Sequence, residues 1–151
     1  MDLKIAGREP NSIVDGDGLR YVIFFQGCLH FCKGCHNMET WNYHNGITSS
    51  IENEVDLISK HIGFIDGITI SGGDPFFQYD SLLNLVKAIK QNFNLNIWVY
   101  TGYTIEEIKA NKQDEVLNYI NTLVDGKFIE SLKSPHLPFV GSSNQRVIKI
   151  N

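Results

Sequence analysis

The sequence predicts an α/β chain: an incomplete β/α barrel with about five mainly parallel strands, in a single domain spanning residues 1–151. Three observations predict it. Apolar runs and amphipathic stretches take turns from Tyr21 onward, the pattern of parallel strands joined by crossover helices. The strongest runs are apolar on both faces, as strands buried beneath helices must be. At 151 residues the chain can bury one core, yet it falls well short of the roughly 250 residues of a closed eight-stranded barrel, so any barrel must be partial.

The elements follow in chain order. Residues 3–6 can form an edge strand, and Asp15-Gly16-Asp17-Gly18 is turn chemistry. The first buried strand is 21–26 (YVIFFQ), followed by 67–71 (GITIS), 96–100 (NIWVY), 122–124 and a last strand at 146–150 (RVIKI). Between them, Ile51, Val55, Ile58 and Ile62 are spaced for one helical face, and Leu82, Leu85, Val86, Ile89 and Phe93 form a cleaner stripe; both read as core. Thr104 and Glu107 make a capping-box pair that opens a short helix, and 114–121 reads as another. This alternation puts the working surface at the carboxyl ends of the strands, where the loops gather.

Composition narrows the function classes. A net charge of -4, with 13 scattered Lys and Arg against 17 acids, gives no basic field for nucleic acid. No apolar run approaches the ~20 residues that cross a bilayer, and charges near the start stand where a signal peptide would have its apolar core; a cytoplasmic protein is expected. Three cysteines packed close together make a poor disulfide framework and a good ligand set.

Those cysteines, Cys28, Cys32 and Cys35, are spaced C-x3-C-x2-C directly after the first buried strand. Three thiolates can ligate three irons of a 4Fe-4S cluster and leave the fourth iron open to a substrate. A zinc site of the three cysteines with His30 or His36 competes with this reading, although structural zinc prefers two ligand pairs far apart in the chain. A ferredoxin-like electron carrier is the other alternative. After the second strand, Gly72-Gly73-Asp74-Pro75 forms a tight turn whose glycines allow a ligand close to the main chain. Thr101 closes the third strand, where its hydroxyl can bind a ribose or cap the following helix. Asp125 and Lys127 end the fourth strand, and alternation points both side chains to one side if the strand persists; a surface salt bridge is the competing explanation.

The cysteine spacing resembles that of the radical S-adenosylmethionine enzymes. The longer run from Asp15 to Trp41 (DGDGLRYVIFFQGCLHFCKGCHNMETW) is similar to the group that activates glycyl-radical enzymes. The tail segment GSSNQR at 141–146, with VYTGYTIEEI and LVDGKF, resembles the anaerobic ribonucleotide reductase activating proteins within that group. This resemblance implies a barrel of the radical S-adenosylmethionine type and a 4Fe-4S cluster on Cys28, Cys32 and Cys35. S-adenosylmethionine would sit on the open iron and be cleaved to methionine and a 5'-deoxyadenosyl radical. It also implies that Gly72, Gly73 and Asp74 hold the methionyl amino group, that Lys127 meets the carboxylate with Asp125 shaping the site, and that Gly34, Cys35, His36 and Asn37 continue the cofactor-binding wall. Many relatives carry an aromatic residue where Gly34 stands, so packing against adenine must come from elsewhere, with Phe31, His36 and Trp41 as candidates. The implied partners are the glycyl-radical subunit of the anaerobic ribonucleoside-triphosphate reductase and an external one-electron donor such as flavodoxin or ferredoxin. An activase of another glycyl-radical enzyme is the alternative within the class.

Overall fold

Apolar, β-branched runs fall where the computed structural model has its strands, and the model describes residues 2–28, 30, 32–34 and 41–151. In chain order the elements are β1 (Asp2–Ser12), β2 (Arg20–Phe25), β3 (Ile47–Ser50), α1 (Ile51–Ser59), β4 (Gly67–Gly72), α2 (Tyr79–Asn92), β5 (Asn96–Tyr100), α3 (Ile105–Ala110), β6 (Thr122–Asp125) and β7 (Arg146–Lys149). Among the described residues the strands form one seven-stranded sheet in the order β3-β1-β2-β4-β5-β6-β7. The central β2, β4, β5 and β6 are parallel neighbours, while β1, β3 and β7 join antiparallel at the two flanks.

Side-chain alternation divides the sheet into two faces. Tyr21, Ile23 and Phe25 of β2, Ile68 and Ile70 of β4, Ile97 and Val99 of β5 and Leu123 of β6 point to one side. There they pack with Ile51 and Ile58 of α1, with Leu82, Leu85, Val86 and Ile89 of α2, and with Ile108 of α3. All three helices therefore share one face and one core. The opposite face carries Arg20, Val22, Thr69, Trp98 and Val124, also buried, and loops cover it in place of helices. At the amino ends of the parallel strands Arg20 seals this face: its guanidinium donates to Thr69 Oγ1, Asp17 O, Ile68 O and Asn96 O and Oδ1. It also lies 5.5 Å from the centre of the Trp98 ring. Burial pulls its pKa down to about 10, so it stays charged at neutral pH.

Three expectations change. The first strand runs from Asp2 to Ser12 instead of covering 3–6 alone, and it is not an edge, because β3 pairs with it from outside. A buried carboxylate accounts for that addition: Glu54 of α1 accepts from Arg8 at 2.9 and 2.6 Å and from Ser49 Oγ at 2.5 Å, tying α1 to β1 and β3. The helical stripe at 51–62 ends at Ser59, leaving Ile62 exposed, and the segment expected as a helix at 114–121 is a 3-10 turn, Asp114–Asn118.

Candidate active site at the strand ends

At the carboxyl ends of β4, β5 and β6, on the loop-covered face, lies a cavity of about 250 Å³. Cys28 and Cys32 line it together with Gly72, Gly73 and Thr101, so the cysteine loop and the Gly-Gly-Asp-Pro turn meet around one space. Main-chain bonds fix that meeting: Gly73 N–H donates to Phe25 O, Asp74 N–H to Gly27 O, and Cys28 N–H to Trp41 O, which draws the base of the cysteine loop together. Gly72 is required by this packing. Its φ is +115°, and a Cβ there would run into the main chain of Phe25 on the neighbouring strand. Cys35, His36 and Asn37, and the adenine candidate Phe31, lie outside the described residues.

The Asp74 carboxylate is turned away from the cavity. It is 1% exposed and accepts from Thr101 Oγ1 at 2.9 and 3.0 Å, Gly102 N at 2.9 Å, Phe76 N at 3.0 Å and His30 Nε2 at 2.5 Å. The Thr101 hydroxyl donates to Asp74 and its oxygen accepts from Tyr103 N–H at 3.1 Å, while the cap of the following helix is Thr104 itself. The neighbouring residue, Tyr100, lines the cavity with a buried hydroxyl that has no hydrogen-bond partner among the described residues. Burial, followed by the charge of Asp15, raises its pKa, so the phenol is a neutral donor.

Asp125 and Lys127 do share a cavity, but it is a neighbouring one that meets the first along Gly102 and Gly126. The strand does not persist through the pair: β6 stops at Asp125, and Gly126 follows with φ +101°. Asp125 is fully buried and accepts from Arg146 Nε and Nη2 and from Ile105 N–H, so its carboxylate anchors β7 and α3 behind the site. Lys127 is exposed.

The far wall comes from the tail loop, whose polar segment acts as a clamp. Gln145 accepts from Gly141 N and Ser142 N and donates to Gly126 O; Asn144 donates to Lys127 O; Ser142 Oγ accepts from Ile129 N. The clamp presents Phe128, Phe139 and Gly141 to the cavity, and Phe139 stands 5.1 Å from the Trp98 ring. Gly34, with φ +77°, lies beside Glu130 and Phe128: a Cβ there would stand 3.2 Å from the Glu130 carboxyl carbon and in ordinary contact, 3.4 Å, with the Phe128 ring. Trp41, Phe128 and Phe139 thus supply aromatic surface where Gly34 has none. Sequence reading missed Phe128, Phe139, Gln145 and Tyr100 as lining residues. The alternation of β5 could have placed Tyr100 on the face of Trp98, but the tail loop carries no period to read.

A domain family described as "4Fe-4S single cluster domain" matches residues 14–148. The chain is 42% identical to the anaerobic ribonucleoside-triphosphate reductase-activating protein of Escherichia coli K12, over 91% of this chain and 93% of that one. The chain belongs to this activating-protein family. The protein of the same name from Enterobacteria phage T4 is 40% identical over 91% of this chain and 88% of that one. Among solved structures, QueE from Escherichia coli superposes with a TM-score of 0.56 at 19% identity, over 69% of this chain and 54% of that one, a likeness of fold. The family match supports a 4Fe-4S cluster in this chain. Among the described residues no helix is long and apolar enough to cross a membrane.

Proposed function

We propose that this chain activates an anaerobic ribonucleoside-triphosphate reductase, with Cys28, Cys32 and Cys35 holding a 4Fe-4S cluster whose open iron binds S-adenosylmethionine. The observation that carries the reading is the convergence of Cys28, Cys32, Gly72 and Gly73 on one cavity at the strand ends. The residues suit the group: two thiols stand beside main chain bared by glycines, the Tyr100 phenol has no partner among the described residues, and three aromatic rings flank the space. When bound, the cluster and S-adenosylmethionine would supply the one-electron chemistry for taking a hydrogen atom from a glycine Cα of the reductase.

The chain's own residues place the reactants. The Asp74 carboxylate is already committed, so the methionyl amino group is held by main-chain carbonyls of the Gly72-Gly73 segment while Asp74 keeps that turn in shape. Tyr100 donates to the nucleoside, and Trp41, Phe128 and Phe139 exclude water around the adenine. Lys127 reaches over the Gly102–Gly126 ledge to the ligand's carboxylate, and Asp125 acts from behind by fixing Arg146 and α3. Residues 1–151 act as one domain, a partial barrel of the radical S-adenosylmethionine type in the cytoplasm, fed by a flavodoxin- or ferredoxin-like donor. The side that a partial barrel leaves open admits a loop of the reductase.

The test is anaerobic reconstitution with iron and sulfide, reduction, and addition of S-adenosylmethionine. Methionine and 5'-deoxyadenosine are expected, and, with the reductase added, a glycyl radical by electron paramagnetic resonance. An intact cluster without cleavage would sink the mechanism; cleavage beside a silent spectrum would remove the partner alone.

A further inference from the structure

His30 lies between two of the cysteines, yet its side chain belongs to a different part of the molecule. It is 6% exposed, and its Nε2 stands 2.5 Å from Asp74 Oδ2, across a separation of 44 residues. Asp74 already accepts from Thr101 Oγ1 and from the N–H groups of Gly102 and Phe76, and the tautomer with Nε2–H donating fits that acceptor. The ring packs edge-on against Tyr103 with centroids 4.5 Å apart. Its flat face lies on Gly102: a Cβ at that position would come within 2.6 to 3.0 Å of the imidazole. Gly102 is not left-handed, so its lack of a side chain answers to the ring above it and not to its own backbone.

We propose that His30 is a positioning residue for the cysteine loop, seated in a niche made by Asp74, Gly102 and Tyr103. Asp74 is itself fixed by Thr101 Oγ1 and by the main-chain N–H groups of Gly102 and Phe76, all on the ends of the parallel strands. The seat therefore ties His30, between Cys28 and Cys32 in sequence, to the rigid sheet, in addition to the bond from Cys28 N–H to Trp41 O at the base of the loop. Thiolates that must bind a cluster in one geometry gain from such a strut, because groups held in place before the ligand arrives lose less freedom when it binds. The inference rests on the proposed cluster but concerns this chain's own seat.

Two independent variants disturb that seat. His30→Ala removes the ring, whereas Gly102→Ala keeps every polar group and displaces the ring sterically. Loss of outer partners that orient metal ligands typically costs about 10–100-fold in metal affinity. We therefore expect an iron chelator to strip both variants at least about tenfold faster than wild type under anaerobic conditions. Far-UV circular dichroism of each apo-protein should match wild type. His30→Gln, which retains an N–H donor for Asp74, should recover part of the retention. Wild-type stripping rates in both alanine variants would overturn the proposal, as would fast stripping in His30→Ala with neither rescue by Gln nor an effect of Gly102→Ala. Should wild-type protein take up no cluster, the proposed function falls first and this inference with it.

Discussion

Asp74 is the residue on which the site turns, because it gathers donors from three separate segments into one buried carboxylate. Thr101 is the strongest test of that network. Thr101→Val keeps the shape and deletes the hydroxyl, and hydrogen bonds to charged groups contribute about 1.5–3 kcal/mol. A loss of that order in denaturant unfolding is expected; unchanged stability with weakened S-adenosylmethionine binding would instead favour the ribose role. The sequence made the cysteines and the glycine turn legible because spacing and turn chemistry are local properties. His30 was legible as a polar loop residue and an alternative zinc ligand but not as the partner of Asp74, which lies 44 positions away with no periodicity connecting the two. The committed state of Thr101 and Asp125 was hidden for the same reason: a side chain's partners are set by tertiary packing.

α3 is the element in which sequence and structure agree most closely, because its amino end is written in three residues. Thr104 Oγ1 accepts from Glu107 N–H at 3.1 Å while Glu107 Oε1 accepts from Thr104 N–H at 3.0 Å, and Ile105 N–H donates to Asp125. Thr104→Ala should cost about 1 kcal/mol by urea denaturation. The Thr104 backbone bond holds the Glu107 carboxyl below the usual carboxylate range. A depressed folded-state value means that the stabilisation is present above the ordinary carboxyl range and fades as pH falls through the folded value. The stability gap between wild type and Glu107→Gln should therefore be seen at pH 7 and shrink toward pH 3. β1 and β3 were harder to read: Gly7, Glu9 and Pro10 interrupt the alternation of β1, and β3 has only four residues, two of them serines. Pairing across the sheet and the buried Arg8–Glu54 contact hold them as strands, and neither is a property of the local sequence.

Across the whole molecule, the sheet separates stability from chemistry. The contiguous apolar core lies on the helix face and contains neither of the described cysteines, Cys28 and Cys32, whereas the cavity lies on the loop-covered face at the strand ends. The parallel strands and their direction were readable because runs apolar on both faces must be covered on both, which calls for crossover connections and puts the working loops at the strand ends. The loop-built wall was not, since side-chain clamps such as Gln145 to Gly126 replace repeating patterns there. This division predicts how the protein responds to metal removal. Small metal domains whose core is the metal site unfold when chelated. Here chelation should leave far-UV circular dichroism and a cooperative urea transition in place, because α1, α2 and α3 remain packed on the sheet. Hydrogen exchange should quicken first at Cys28, whose N–H bonds Trp41 O at the base of the cysteine loop, and leave β4 and β5 protected. Loss of the cooperative transition on chelation would mean that the cluster, and not the helix-face core, holds the fold together.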